Sequence, residues 1–387
     1  MIPHILPAIE IIAVAGAFSG VAYDVLCLWS AANFLRECRS ERTSATPGVP
    51  PVTLLKPLKG IDPGMYESLH SQCRQDYPEY EIILGVSDPL DPAVGLVERL
   101  RSEFPQRAIR LEVCSENLGA NTKVSNLVQM IREARYENIV VSDSDIRVEP
   151  DYLRRVVGPL SDPGIGLVTC LYRGVAAPTL GSRLESLGIS TDFVPGVLVA
   201  RQIENGIRFG LGSTLAFRRR DLAAIGGFEA IADYLADDYE LGKRIAGLGL
   251  KVELSDVVVE TFLPGYSFAE FIGHQLRWSR TIREARRGGY VGLLLTFGLF
   301  WSLVALVASH CAVWAWGLLA LTACVRLTMA MVVGQGVLRD SHLLRWLWLV
   351  PVRDLLAVPV WLLGLGGGTI SWRGRKFRLK DGKLAPL

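Results

Sequence analysis

The chain has 387 residues, half of them hydrophobic, a net charge of +2 and a mean hydropathy of +0.29. That is more apolar than a soluble enzyme, yet 21% charged residues is more than a wholly lipid-buried chain would carry. The near-neutral charge excludes the basic field of a nucleic-acid-binding protein. The seven cysteines form no CxxC pair, which argues against zinc or disulfide frameworks and suits free thiols in a reducing cytoplasm.

In chain order, residues 1–36 read as a membrane anchor. The stretch from Ile5 to Leu35 is long enough to cross a hydrocarbon core of about 30 Å. No basic segment precedes it and no clean cleavage site follows, so it is expected to stay attached. Arg36, Arg39 and Arg42 come next, and the positive-inside rule places the following domain in the cytoplasm. Residues 37–51, ending TSATPGVPP, read as a linker.

Residues 52–265 alternate short β-rich runs with helical stretches. Candidate strands are 52–58, 80–88, 109–115, 138–145, 166–173 and 213–219, with amphipathic segments at 64–75, 92–103 and 122–135. Such alternation predicts an α/β domain with a mostly parallel, Rossmann-like sheet, whose ligands bind beyond the carboxyl ends of the strands. Residues 266–289 predict a basic amphipathic helix lying in the membrane interface. Residues 290–366 are apolar again. Spans are expected at 291–309 and 312–333, and a re-entrant or interfacial hairpin at 343–366, where Arg353 and Asp354 make a full crossing costly. The basic tail, 367–387, favours a cytoplasmic C-terminus.

Several acidic and basic residues fall where chemistry would need them. Asp143 and Asp145 follow the run NIVV; at i and i+2 of an extended strand they would point the same way and share a hard divalent cation. The bland alternative is a polar loop leading into the next helix. Asp88, closing YEIILGVSD, suits hydrogen bonds from a nucleotide base or ribose, or equally a turn before Pro89. Lys123, after the Asn117–Asn121 turn, would reach a phosphate; Asn and Gly before a helix are also ordinary punctuation. Asp237 and Asp238 open a helix, as caps would, but a carboxylate there also suits a general base. Arg277 and Trp278 could stabilise a departing diphosphate and stack on a sugar or acceptor, or merely anchor the helix in lipid.

Taken in order, Leu55-Lys-Pro-Leu-Lys-Gly-Ile-Asp-Pro63, Val86-Ser-Asp88 with Asp91-Pro92, and Asn121-Thr-Lys-Val-Ser-Asn-Leu127 resemble the GT-A glycosyltransferases of the ceramide-glucosyltransferase-like group. Asp143-Ser-Asp-Ile-Arg-Val148, Ala236-Asp-Asp-Tyr239 and Arg277-Trp278 continue the match. The resemblance implies a GT-A catalytic domain with terminal transmembrane helices in a bacterial inner membrane. It implies that Lys59, Asp88, Lys123 and Asp143 hold a UDP-sugar, and that Asp143 and Asp145 bind Mg²⁺ or Mn²⁺. Asp238 would be the base of an inverting transfer, and Arg277 and Trp278 would end the family's (Q/R)xxRW box.

Two departures stand out. His274 takes the first position of that box, and no histidine lies between His70 and His274, where ceramide glucosyltransferases carry a functional one. The runs FVPGVLVAR and VRDLLAVPVWLLG…WRGRKFRL resemble instead the bacterial hopanoid branch, which adds N-acetylglucosamine from its UDP form to bacteriohopanetetrol. A hopanoid acceptor is therefore the leading expectation and a ceramide-like lipid with UDP-glucose the alternative. A processive polysaccharide synthase is less well matched, because the expected spans are too few for a polymer channel.

Overall fold

A computed structural model describes residues 5–41, 48–372 and 375–387. Residues 42–47 of the expected linker and residues 373–374 of the basic tail lie outside these, and residues 37–41 of that linker are the end of a helix. The chain begins with helix α1 (Ile5–Glu41), then β1 (Val52–Pro57), α2 (Met65–Cys73), β2 (Tyr80–Val86), α3 (Ala93–Glu103) and β3 (Ala108–Val113). Next come α4 (Thr122–Met130), β4 (Asn138–Val141), β5 (Ile146–Arg147), α5 (Tyr152–Val157) and β6 (Ile165–Val175). Helices α6 (Leu180–Gly188) and α7 (Val194–Ile203) precede β7 (Leu215–Arg218), α8 (Arg219–Ala224), α9 (Asp237–Gly247) and β8 (Lys251–Phe262). Helices α10 (Phe268–Ala285), α11 (Arg287–Gly292), α12 (Gly298–Ala308), α13 (Val313–Met331), α14 (Leu343–Trp346) and α15 (Val350–Leu365) follow. Strands β9 (Thr369–Trp372), β10 (Arg375–Lys380) and β11 (Lys383–Pro386) end the chain.

Two compact units form. The sheet unit joins residues 43–177, 203–264 and 369–387; the helical unit joins 1–42, 178–202 and 265–368. The units thus do not follow the linear divisions of the sequence: 178–202 groups with the helices, and the tail with the sheet.

The main sheet has eight strands in the order β3-β2-β1-β4-β7-β6-β8-β5. β1 pairs in parallel with β2 and β4, β2 with β3, and β6 with β8, whereas β7 and β5 run antiparallel to their neighbours. Central strands buried on both faces explain why VTLLKP and YEIILGV read as unbroken apolar runs. Leu54, Ile82, Val140 and Val168 pack with Leu69, Val97 and Tyr152 from the covering helices. The carboxyl ends of β1, β2 and β4 therefore share one edge. The expected mostly parallel α/β domain is present, with β8 as a twelve-residue strand that the sequence reading left out.

In the helical unit, Pro7–Ser40, Val313–Val337 and Leu343–Leu365 are each long and apolar enough to cross a membrane. The span expected at 291–309 is broken: Arg287–Thr296 and Gly298–Ala308 meet at a 50° bend. The hairpin expected at 343–366 is absent, since that run is helical through Leu365 with a single-turn 3₁₀ segment at 347–349. Its charges are met by partners instead. Arg353 Nη2 reaches Asp192 at 3.2 Å and Gln275 at 3.0 Å, while Asp354 forms a two-bond pair with Arg326 at 2.6 and 2.8 Å. A charge among apolar helices is retained where an opposite charge and hydrogen bonds accompany it.

Candidate active site

Strand β4 ends at Val141, and the next residues turn instead of extending: the Ile146 amide donates to the Asp143 carbonyl at 3.3 Å. This corrects the expected strand geometry of the Asp-Ser-Asp motif. The turn separates its two carboxylates, giving Asp143 to a lysine and Asp145 to β8. Asp145 Oδ2 accepts from the Thr261 hydroxyl at 2.7 Å, and burial together with the Asp143 charge pushes its carboxyl up to about 6. Ser144 between them donates to Asp62 at 2.5 Å.

Lys123 lies at the first turn of α4, whose cap Asn121 accepts from the amides of residues 123 and 124. Its Nζ sits 2.9 Å from Asp143 and 3.0 Å from Asp237. Burial would discharge this ammonium, but Asp143, Asp237 and Asp238 outweigh that and hold its pKa above the ordinary range. Helix α9 starts at Asp237, placing two acids at the helix end where negative charge is favoured. Asp238 Oδ2 accepts from the Gly212 amide at 2.7 Å, and Oδ1 from the Tyr239 amide at 2.8 Å. Burial, then the neighbouring Asp237, raises the Asp238 carboxyl to about 6. A half-buried carboxylate of that basicity can take a proton near neutral pH.

Lys56 is a residue that sequence reasoning passed over. It is 1% exposed on β1, and its Nζ donates to the Asp143 carbonyl at 2.9 Å. Burial pulls its pKa down to about 8 against the pull of Asp143 and Asp145. The signal was a lysine inside an otherwise apolar central strand. Lys59, chosen from the sequence, is exposed on the loop beyond β1.

Asp88 follows β2 on the same sheet edge, exposed, with Oδ1 accepting from the Leu90 amide at 2.9 Å. Two strand spacings, roughly 10 Å, separate the ends of β2 and β4, the order of length of a nucleoside diphosphate. Asp91 ties the two loops together: both its oxygens accept from the Gly60 amide, at 3.0 and 2.9 Å. The sheet unit thus gathers Lys123, Asp143, Asp237 and Asp238 directly, with Asp145, Lys56 and Asp88 along the same edge. Asp143 and Asp145 offer the oxygen donors a hard divalent cation would take, but the turn commits them to different partners, Lys123 and Thr261. Among the described residues no group of three or more His, Cys, Asp or Glu is arranged to hold a metal.

Arg277 and Trp278 lie on α10 in the helical unit. A Ser267–Glu270 capping box starts this helix. Trp278 Nε1 donates to His274 Nε2 at 3.2 Å, and His274 Nδ1 faces Glu185 at 3.2 Å. Gln275 also donates to Glu185, at 2.7 Å. Tyr266 stacks on the imidazole and Phe193 meets the indole edge-on.

Residues 12–385 match the model of Glycosyl transferase family 21. Among curated proteins, Ceramide glucosyltransferase 3 of Caenorhabditis elegans is 26% identical over 231 residues, covering 59% of this chain and 50% of its own. Ceramide glucosyltransferase of Komagataella phaffii is 39% identical over 119 residues, covering 30% of this chain and 23% of its own. The chain spans about half the length, or less, of the curated relatives it matches. A mannosyltransferase from Pyrobaculum calidifontis, solved with GDP-Man and Mn²⁺, superposes with a TM-score of 0.54 at 20% identity, over 93% of this chain and 99% of its own. That likeness establishes the GT-A fold. With the family match running along nearly its whole length, the chain belongs to glycosyl transferase family 21.

Proposed function

We propose that the protein is an inverting glycosyltransferase that moves a sugar from a UDP-activated donor to a hydroxyl of a membrane lipid. The observation carrying this reading is Lys123 held between Asp143 and Asp237, with Asp238 beside them, on the sheet edge where α/β ligands bind. Lys123 would meet diphosphate oxygens, and Asp88 the nucleoside. Asp143 and Asp145 would hold Mg²⁺ or Mn²⁺, which supplies Lewis-acid stabilisation of the departing diphosphate. Asp238 takes the acceptor hydroxyl proton as that oxygen bonds to the anomeric carbon. The bond from that carbon to the phosphate oxygen breaks, and UDP leaves. A single base suffices for inversion, so an α-linked donor gives a β-linked product. Arg277 and Trp278 would serve leaving-group and acceptor contacts on the membrane side.

N-acetylglucosamine and a polyhydroxylated hopanoid are the preferred donor sugar and acceptor. The segment Ser190–Pro195, which lacks a histidine, and the runs FVPGVLVAR and VRDLLAVPVWLLG…WRGRKFRL, which resemble the hopanoid branch, support this choice. UDP-glucose with a ceramide is the second reading, favoured by the curated relatives named above. The purified protein, given UDP-N-acetylglucosamine or UDP-glucose with bacteriohopanetetrol or ceramide, should add one sugar per lipid, read by mass spectrometry. Asp238→Asn should lower kcat by roughly 10²–10⁴-fold while sparing donor affinity. Asn keeps an oxygen for only one of the Gly212 and Tyr239 amides and gives up the attraction of Lys123, so a modest fall in Tm accompanies the loss of rate. Near-normal turnover by this variant would remove Asp238 as the base.

A further inference from the structure

The C-terminal strands β9–β11 form their own three-stranded sheet, in the order β11-β10-β9. They would ordinarily pass as a basic tail. Their free edge is taken by the segment 232–236, which leads directly into Asp237 and Asp238. Leu384 donates its amide to the Asp233 carbonyl at 2.7 Å, and Leu235 donates to the Gly382 carbonyl at 3.1 Å. Tyr234 and Lys383 form the antiparallel bridge between these two bonds. Ile370, Phe377, Leu379 and Leu384 make a small buried core against which Leu235 and Ala120 pack.

The opposite side of the same segment holds α4. Asn121 donates its backbone amide to the Ala232 carbonyl at 2.9 Å and its side-chain amide to the Tyr234 carbonyl at 2.8 Å. Ala120 donates to Asp233 Oδ1 at 2.9 Å. A Cβ on Gly119 would fall 2.5 Å from Ala232, so these backbones touch as closely as glycine permits. Apart from a single 3₁₀ turn ending at Ile231, the segment has no regular structure of its own. Its order comes from these two flanks.

We propose that the C-terminal sheet is a positioning element of the active site: by adding an edge strand to residues 233–235 it fixes where α9 begins, and through Asn121 where Lys123 stands. The proposal rests on the assignment of Asp238 as base. Backbone pairing at a sheet edge is an established way to order an otherwise irregular segment, and a misplacement of about 1 Å at a reacting group can cost roughly 100-fold in rate.

Two full-length variants test it. Leu384→Pro removes the amide that reaches Asp233. That amide points away from β10, so the β10–β11 ladder keeps its hydrogen bonds. Leu379→Ala hollows the small core against which Leu235 packs while leaving every backbone bond to residues 232–236 in place. Amide hydrogen exchange should rise at least tenfold across 232–242 in both, with β1, β2 and β4 exchanging as in the parent. kcat should fall at least tenfold while the acceptor KM stays within twofold. Should Leu384→Pro exchange faster everywhere, the milder Leu379→Ala decides. Parent-like exchange over 232–242, or a loosened segment with kcat within twofold, overturns the proposal. The exchange measurement needs no substrate. A parent protein that glycosylates no lipid would therefore defeat the proposed function and leave this arm readable.

Discussion

His274 shows how one side chain can take over another's task. Its Nε2 accepts the indole N–H of Trp278 while Nδ1 lies 3.2 Å from a Glu185 oxygen, so the ring stands between a buried carboxylate and the last residue of the RW pair. Burial disfavours the charge on Glu185, but His274, Arg353 and Gln275 outweigh it and hold its pKa below the usual value. A glutamine can do the same job, donating through its amide nitrogen and accepting through its oxygen. His274→Gln should therefore keep most of the activity. His274→Leu leaves Glu185 short of a partner and frees the indole; kcat should drop at least tenfold with a shifted Trp278 emission, scored against the other eight tryptophans by a Trp278→Phe control. Equal activity in the two variants would make the bridge incidental. At this scale the sequence was legible where a residue type was chemically conspicuous. Lys123 and Asp238 could be singled out because they open helices. Lys56 could not, because its role depends on reaching the Asp143 carbonyl from a neighbouring strand.

At the scale of elements, the six candidate strands and three candidate helices between residues 52 and 219 all appear within a few residues of their expected bounds, since hydrophobic period and turn residues act locally. Strand β8 was missed because Glu253, Asp256 and Glu260 interrupt its apolar pattern. Those acids answer basic residues: Lys251 pairs with Glu253 at 2.5 Å, Arg155 with Asp256 at 2.6 Å and Arg173 with Glu260 at 2.7 Å. The tail strands were hidden for the same reason, as five lysines and arginines from 375 to 383 mask the alternation of Phe377 and Leu379. Missing β8 also hid Thr261, the partner of Asp145. Asn121 is the element-level hinge of the site, because it caps α4 and holds the segment before α9. Loss of a cap costs about 1 kcal/mol. Asn121→Ala removes two further side-chain bonds, to the Tyr234 carbonyl and to Asp237. Its midpoint in denaturant should fall accordingly, and kcat should fall further than a purely global loss of stability allows. Asn121→Asp keeps the cap oxygen but turns a buried carboxylate toward the Tyr234 carbonyl and Asp237, so it should recover neither the midpoint nor the rate.

The whole molecule constrains how the chain can thread a membrane. In the helical unit α12 runs against α1: Ala13 clusters with Ala305, Gly16 meets Trp301, and Gly20 meets Gly298, where a Cβ on Gly20 would lie 2.3 Å from the Gly298 Cα. α13 then runs along α1 in the same direction, with Leu318 in the Ala13 cluster and Gly336 beside Leu35. If α1 crosses, residues 287–308 cross back and 313–337 cross again. Residues 43–177 and 369–387 belong to one unit and must share a face, so crossings between them must be even in number. If those two are the crossings, the count is met and 343–365 returns without crossing, although its length and composition alone would permit a span. Its packing agrees. Gln275, Ser279 and Arg283 of α10 meet Arg353, Val360 and Gly364 in matching order, so α15 lies alongside α10. Three crossings therefore put the exposed Cys311, in the turn between α12 and α13, on the face opposite the tail. With the sheet unit proposed to face the cytoplasm, a membrane-impermeant maleimide should label Cys311 in intact cells carrying Cys38→Ala and Cys324→Ala. With Cys311→Ala and Ala385→Cys added, labelling should require permeabilisation. Labelling of both positions from one face would mean that 343–365 spans after all, and the pairing of the tail with residues 233–235 could not then exist in the membrane-inserted protein.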